Sequence, residues 1–281
     1  MKKVLITIVF FGIIFAAWNL KETKAQSVRD EVYTKENVPA KEPLEYSHLR
    51  EADVMWSKKL WQMIDCRKKM NHPLYFPTRD MRDRKSLIQL IVHGIQEEGL
   101  TVYESDLFKE DGILSEDEAL TELGAGTETT EVQQDDGSVE EEEVERGVQW
   151  DEVTQYLVKE QWYFDKKHST LKVRILGICP IREYVDDDTG EKRKRMAFWV
   201  YFPEARPIFA RHEVFNRGND AQRVSFDDFF HQRRFDSYVT KESNVYGNRD
   251  IQEYTTGENT LLEAEEIRNE VFEFEHDLWE Y

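Results

Sequence analysis

The sequence predicts an α+β protein: a small antiparallel sheet built on a long β-hairpin, with packed helices, a disordered acidic insertion and a C-terminal amphipathic helix. Two apolar runs flank a polar turn within Leu171–His212, and an acidic stretch covers Glu116–Glu145. Apolar residues also recur every three or four positions from Leu261 to Leu278. An apolar period of two indicates a strand, and a period near 3.6 indicates a helix.

The hairpin prediction depends on alternation in Leu171–Tyr184 and on Met196–Phe202, which is apolar on both faces and should be covered on both sides. The turn at Asp188–Gly190 predicts these cross-strand pairs: Ile178 with Val200, Cys179 with Trp199, Arg182 with Met196, Glu183 with Arg195. Since Pro180 has no N–H to donate, its strand should lie at an edge or be bulged there.

The first residues have the pattern of an export signal. Lys2 and Lys3 precede the apolar run Val4–Trp18, and small residues then predict cleavage between Ala25 and Gln26. The alternative is an uncleaved membrane anchor, although the run is shorter than the ~20 residues that a spanning helix needs.

The chain is strongly acidic. Its 281 residues carry a formal net charge of −19, and removal of four Lys and one Glu with the signal would leave −22. Nucleic acid and anionic lipid attract basic surfaces, so we expect no nucleic-acid partner and no direct binding to anionic lipid.

Cys66 and Cys179 are the two cysteines of the sequence. In an oxidising compartment they could form a disulfide, which would stabilise by about 4–5 kcal/mol in the chain-entropy model. The alternative is two buried free thiols.

The chain before the hairpin predicts two helices. Apolar residues near helical spacing place one over Ser47–Met70, and a second runs from about Arg82 to Glu98, before a short strand at Leu100–Tyr103. Glu116–Glu145 holds thirteen acids and no Lys or Arg, which predicts a disordered loop. Calcium binding or mimicry of a polyanion are the alternatives for this loop.

Three further helices are predicted around and after the hairpin. Trp150–Trp162 is apolar at helical spacing, and Ser225 with Asp228 forms a helix-start motif. Thr260 with Glu263 predicts a capping box for the last helix, which would either pack on its own domain or bind a partner. The predicted organisation is a signal peptide (1–25), an extended arm (26–46), a helical part (47–113), the acidic insertion (114–147), an α+β core (148–256) and the C-terminal helix (257–281).

No motif in the sequence indicates catalysis. Gly-rich phosphate loops and H-E-x-x-H, C-x-x-C and G-x-S-x-G motifs are absent, and no two histidines are four residues apart. We therefore expect no enzyme activity, no metal and no cofactor. Aromatic and Arg residues often anchor interfaces, and the candidates are Trp56, Trp61, Arg206 and Trp279, with ordinary core or solvated positions as the alternative.

Three long aromatic-rich blocks resemble the GldN family of gliding motility proteins, also called PorN. They are READVMWSKKLWQMIDCRKKMNHPLYFP at Arg50–Pro77, AFWVYFPEARPIF at Ala197–Phe209 and SFDDFFHQRRFDSYVTKESNVYGNR at Ser225–Arg249. They occur in the family's order, and the similarity covers nearly all of the chain outside the signal peptide, the acidic insertion and the C-terminal tail.

The resemblance implies a component of the type IX secretion system. Members of this family lie in the periplasm against the inner face of the outer membrane. They form a ring with a GldK/PorK-like lipoprotein and further copies of themselves, and they contact the periplasmic part of a GldM/PorM-like motor protein. The role is structural, and no catalytic residues are implied. The alternative is an exported ligand-binding or hydrolytic domain that acts alone.

Overall fold

The computed structural model describes residues 40–79, 81, 84–133, 139–186, 189–219 and 221–278. The predicted signal peptide, its cleavage site between Ala25 and Gln26, the arm as far as residue 39 and Trp279 lie outside these ranges. All described residues belong to one compact unit that mixes helices with antiparallel strands, which confirms the α+β class.

An eight-stranded antiparallel sheet organises the unit. Its strands lie in the spatial order β12 (Ser237–Glu242), β1 (Val54–Asp65), β6 (Val153–Asp165), β7 (Thr170–Val185), β9 (Trp199–Tyr201), β2 (Val102–Tyr103) and β3 (Ile113–Leu114), and β8 (Lys192–Met196) also pairs with β7. Two separate antiparallel pairs are β4 (Gly126–Gln133) with β5 (Val139–Arg146) and β10 (Glu213–Val214) with β11 (Val224–Ser225).

Seven helices accompany these strands in the described part of the chain. They are α1 (His72–Tyr75), α2 (Leu87–Glu97), α3 (Glu116–Glu122), α4 (Phe202–Arg211), α5 (Phe226–His231), α6 (Ile251–Tyr254) and α7 (Glu258–Asp277). Single 3₁₀ turns lie at Glu51–Asp53, Glu110–Gly112 and Trp150–Glu152.

The helices cover one face of the sheet. Alternate residues of a strand share a face, so Leu60 and Ile64 of β1 point the same way. Ile64 lies in the main core with residues of α2, α4 and α5, whereas Leu60 lies in a second cluster with Ala264 and Val271 of α7. Both clusters therefore stand side by side on the same face, and polar side chains separate them.

The predicted helices at Ser47–Met70 and Trp150–Trp162 are wrong, because these stretches contain strands β1 and β6, which pair with each other. Several of their buried residues are polar, and Gln62 and Glu160 are two of them. These polar residues interrupt the apolar alternation, so the remaining apolar positions have a spacing close to that of a helix.

The hairpin is confirmed, but its register is correct only in part. Ile178 pairs with Val200 as predicted. Nearer the tip, Arg182 pairs with Arg195 instead of Met196, and Glu183 pairs with Lys194 instead of Arg195. The partner strand is interrupted between β8 and β9, which shifts the register by one residue. The predicted pairing of Cys179 with Trp199 stays a prediction, and the tip residues 187 and 188 lie outside the described residues.

Pro180 is accommodated without an edge position. Its strand, β7, lies between β6 and β9. The proline carbonyl accepts a hydrogen bond from the Ala197 N–H at 3.0 Å, where β8 and β9 are separated. The strand predicted over Met196–Phe202 ends at Tyr201. Pro203 lies in the first turn of α4, a position that suits its fixed φ.

Part of the predicted acidic disorder is also wrong. A capping box of Ser115 and Glu118 begins α3, whose Ala119 is fully buried, as is Leu123 just after the helix. Strands β4 and β5 pair with each other over the stretch that follows. The S-x-x-E pattern before Ala119 is the signal that predicts this helix, since the same kind of box starts α5.

Three other predictions concern helix starts. The helix predicted from Arg82 begins at Leu87, where Ser86 and Gln89 form a capping box. The box of Ser225 with Asp228 is confirmed at α5. The box predicted at Thr260 and Glu263 is wrong, because α7 begins three residues earlier than that box requires, at Glu258 after Gly257 at φ 65°.

The C-terminal helix is amphipathic, as predicted, and packs on its own sheet. Ala264, Ile267 and Val271 are buried against β1 and β12. Leu261, predicted to share this stripe, stays 63% exposed.

Both cysteines are buried free thiols. The Cys66 N–H donates a hydrogen bond to the carbonyl of Thr154 in β6, whereas Cys179 pairs with Leu157 of the same strand. The two cysteines are therefore separated by two strand spacings across the sheet and by three residues along it. Each of these displacements is about 10 Å, whereas a disulfide needs Cα atoms within about 7 Å of each other. Cys66 also belongs to the main core, and Cys179 packs with Trp61 on the opposite face. The geometry therefore excludes the bridge.

Burial makes both thiols unreactive in the folded protein. It raises the pKa of the Cys66 thiol to about 12 and that of the Cys179 thiol well above its usual value. We expect two free thiols per chain when protein from cell envelopes is unfolded without reductant and titrated with a thiol reagent. A count near zero would contradict the separation of the two cysteines.

Leu123 tests whether the start of the acidic segment belongs to the core. We expect Leu123→Ala to lower the free energy of unfolding by about 2–5 kcal/mol, because the side chain is fully buried. Thr121→Ala, at an exposed position of α3, is the control and should change stability far less. Equal stabilities of the two variants in urea would place this segment outside the core.

Candidate interaction surfaces

An N-terminal strap, residues 41–48, contacts the middle of α4 and the start of α5. Its central residue is Tyr46, whose ring lies 4.1 Å from the guanidinium of Arg206 and 4.8 Å from that of Arg174. Burial raises the pKa of the Tyr46 hydroxyl, and the two neighbouring arginines oppose that rise only in part. Both cations lie against the electron-rich face of the ring, which is a favourable geometry.

Arg206 links the strap to two helices. From α4 it donates to Asp227 of α5 through Nε at 2.8 Å and through Nη2 at 3.1 Å, and both side chains are buried. Its Nη2 also donates to the carbonyl of Leu44 in the strap at 2.6 Å. A planar guanidinium suits this bidentate contact. The structure therefore places this sequence candidate inside the unit, where it binds the strap.

Two further contacts hold the strap at its ends. Lys41 binds Ser225 and Asp228, the capping pair of α5. Arg174 of β7 donates to the carbonyl of Ser47 at 2.6 Å. The strap thus contacts the sheet and both helices with polar groups that are paired.

A buried polar network separates the two apolar clusters on the covered face. Glu160 is fully buried and accepts hydrogen bonds from Gln62 at 2.9 Å, Trp162 at 3.1 Å and Arg233 at 2.7 Å. The Arg233 guanidinium also lies over the rings of Trp162 and Phe235. Each oxygen of this carboxylate therefore has a partner.

A groove of about 470 Å³ opens beside this network, between β12 and α7. Its lining includes Gln62 and Arg233 from the network and Leu60, Val239, Ala264 and Phe272 from the second apolar cluster and its rim. Asp236, Ser237, Glu265, Arg268 and Glu275 also line it, so polar and apolar side chains contribute about equally. A cavity of this size falls within the range of small-ligand sites.

The opposite face of the sheet is covered by the loop around Phe108. Trp61 is only 4% exposed and donates to Asp106 at 3.0 Å, and the Lys159 ammonium binds the same residue. Burial lowers the pKa of Lys159. Gly177 allows this packing, because a Cβ there would lie 2.4 Å from the ring of Phe108. Trp61 is therefore core and not a surface anchor.

Trp56 packs α7 against the sheet. Its ring stacks on Phe274 with centroids 4.6 Å apart, and it is half-buried. Lys58, two residues along β1, bonds Glu242 of β12 and Glu270 of α7. This sequence candidate thus stabilises the monomer, and Trp279 lies outside the described residues.

A basic pocket lies apart from these sites, and the sequence analysis missed it. Its volume is about 430 Å³, and its lining includes Lys69, Pro73, Phe76, Met81, Phe215 and Arg217. Phe76, Met81 and Phe215 are 51%, 45% and 43% exposed. Arg84 lies 4.5 Å from the ring of Phe215. The run Arg67-Lys68-Lys69 in so acidic a chain is the signal that could have indicated it, but sequence alone does not bring Phe215 to that position.

Helix α7 presents an acidic face with exposed apolar residues. Leu262 and Phe272 are 67% and 64% exposed. Leu262, Glu265, Asn269 and Phe272 are separated by three or four residues, so they form one surface stripe. Glu258, Glu266 and Glu273 are exposed beside it. The same side of the helix carries one exposed cation, Arg268, 4.0 Å from Glu265, so carboxylates outnumber cations there.

Two classes of site are absent from the described residues. No group of three or more His, Cys, Asp or Glu there could hold a metal ion. None of the helices within the described ranges is both long and apolar enough to span a membrane.

These features define an α+β protein whose buried charged groups hold its own elements together. Two of its surfaces, the basic pocket and the face of α7, combine exposed apolar groups with opposite charge. The sequence profile of the gliding motility associated protein GldN family matches residues 49–280, which is most of the chain. The chain belongs to this family, and the resemblance of its three blocks is confirmed. A search of curated proteins found no match.

Arg206 tests the strap. We expect Arg206→Ala to lower the free energy of unfolding by about 3–5 kcal/mol, because it leaves Asp227 buried without its cation. Amide hydrogens of residues 44–48 should exchange faster in this variant. Arg211→Ala, which breaks an exposed contact from the same helix to Glu98, should cost less than about 1 kcal/mol. Unchanged exchange in residues 44–48 would show that Arg206 does not hold the strap.

Proposed function

We propose that this protein is a non-enzymatic structural subunit of a periplasmic ring complex in the type IX secretion and gliding motility machinery. In this proposal it lies at the inner face of the outer membrane, binds a GldK/PorK-like lipoprotein and contacts the periplasmic part of a GldM/PorM-like motor protein. Further copies of the chain complete the ring.

The observation that carries the proposal is the GldN family match over residues 49–280. The apolar first residues with their small-residue cleavage pattern support export, and the acidic charge supports attachment to the membrane through partners.

The geometry also favours a structural role. The buried charged side chains described above are used within the fold: Arg206 with Asp227, Arg233 with Glu160, and Lys159 with Asp106. Repeated subunits of a ring need two different complementary surfaces on each copy. The basic pocket and the acidic face of α7 share no residues, so they are available as two such surfaces.

The groove beside α7 supports the alternative of an exported ligand-binding domain that acts alone. Its volume of about 470 Å³ and its convergent polar groups Gln62 and Arg233 suit a small ligand.

Gentle extraction from cell envelopes, followed by sizing, separates the two functions. We expect the chain to migrate in a particle of many copies together with an outer-membrane lipoprotein. The same extract after a dissociating detergent supplies the position of the free chain as a control. A monomer without a lipoprotein in the gentle extract would contradict the ring subunit and leave the ligand-binding domain.

A further inference from the structure

We propose that the basic pocket of one copy of this chain binds the acidic face of helix α7 of a second copy. This contact rests on the proposed function and deepens it, because it names the two surfaces through which neighbouring subunits meet.

The pocket has the chemistry of a docking site. Phe76, Met81 and Phe215 expose apolar surface around it, and Lys69 and Arg217 supply positive charge. Contiguous exposed apolar patches with polar rims mark interaction sites. The occupant must therefore offer apolar side chains among carboxylates.

Helix α7 offers this combination. Leu262 and Phe272 project from one stripe and lie about 15 Å apart at 1.5 Å per residue. Glu265 lies between them in the stripe, and Glu273 lies at its border. Either apolar residue can enter the pocket while a carboxylate meets the basic rim.

The charge of the chain favours this particular pair of surfaces when two copies meet. A net charge of −19 makes copies repel one another over most of their surface. Association between copies therefore needs a local basic site, and the pocket supplies one. Electrostatic complementarity of this kind sets partner choice and register.

The contact joins two different surfaces, so it is heterologous. Each copy presents one pocket and one helix face, and every copy can bind one neighbour on each side. Such head-to-tail contacts produce a ring when the rotation between copies closes, and a filament when it does not.

Disulfide trapping in cells that produce the full chain tests the contact. Gly218→Cys places a thiol beside Arg217, and a side chain there meets only Asn216 Oδ1, at 3.9 Å. Asn269→Cys places a second thiol in the middle of the α7 stripe. Native Cys66 and Cys179 are buried and do not compete.

We expect a chain with both substitutions to give a ladder of cross-linked multimers on oxidation. Each single variant should stay monomeric on a non-reducing gel, and co-production of the two single variants should give dimers only. Lys109→Cys combined with Asn269→Cys is the matched control, since Lys109 is exposed and lies outside the pocket, and it should give no ladder.

Charge reversal supplies a second measurement. We expect Lys69→Glu with Arg217→Glu to reduce the cross-linked fraction roughly tenfold, and added Glu265→Lys with Glu273→Lys to restore it. The same reversals at Lys109 and Glu110 should have no effect. Circular dichroism melts establish that each variant is folded.

The outcomes separate this contact from the proposed function. A large particle without a ladder would overturn the contact and keep the ring subunit. A monomer without a ladder would overturn both. Dimers of Gly218→Cys alone, or its cross-link to another protein, would overturn the contact, because the pocket would then have a different occupant.

Discussion

One buried carboxylate constrains much of this fold. Glu160 lies in the central strand β6 with no exposed surface, and three donors from three parts of the chain meet it. Loss of one partner of a buried ion pair costs about 3–5 kcal/mol. Glu160 therefore constrains two features at once. One is the register of β1 against β6, which brings Gln62 to the carboxylate, and the other is the path of the segment that carries Arg233. A slip of one residue would turn Glu160 to the other face.

The same constraint divides the core and positions α7. The polar network lies between the main core and the second cluster, so α7 packs beside the other helices on the same face. Arg206 with Asp227 repeats the arrangement at the strap, where one buried pair joins two helices and the carbonyl of Leu44. In both places buried charged groups stabilise the monomer, and one of them, Arg206, is a residue that the sequence presents as an interface candidate.

Sequence reasoning was most successful where local rules act alone. The box at Ser225, the pairing of Ile178 with Val200 and the amphipathic α7 are confirmed. The strand predicted at Leu100–Tyr103 is present over Val102–Tyr103. It failed where tertiary contacts override local pattern. The buried Gln62 and Glu160 gave β1 and β6 a helix-like spacing.

The basic pocket could not be predicted from local sequence pattern either. Its exposed residues Phe76 and Phe215 are far apart in the sequence, so only the fold brings them together.

In the proposed ring, neighbouring copies of this member of the GldN family meet through the basic pocket and α7. Electron cryo-microscopy of the particle purified with its lipoprotein shows this contact at once. We expect a closed ring in which the pocket around Phe215 of each copy is filled by the Leu262–Phe272 stripe of the next copy. A ring in which that pocket faces solvent, or no ring at all, would contradict the proposed contact.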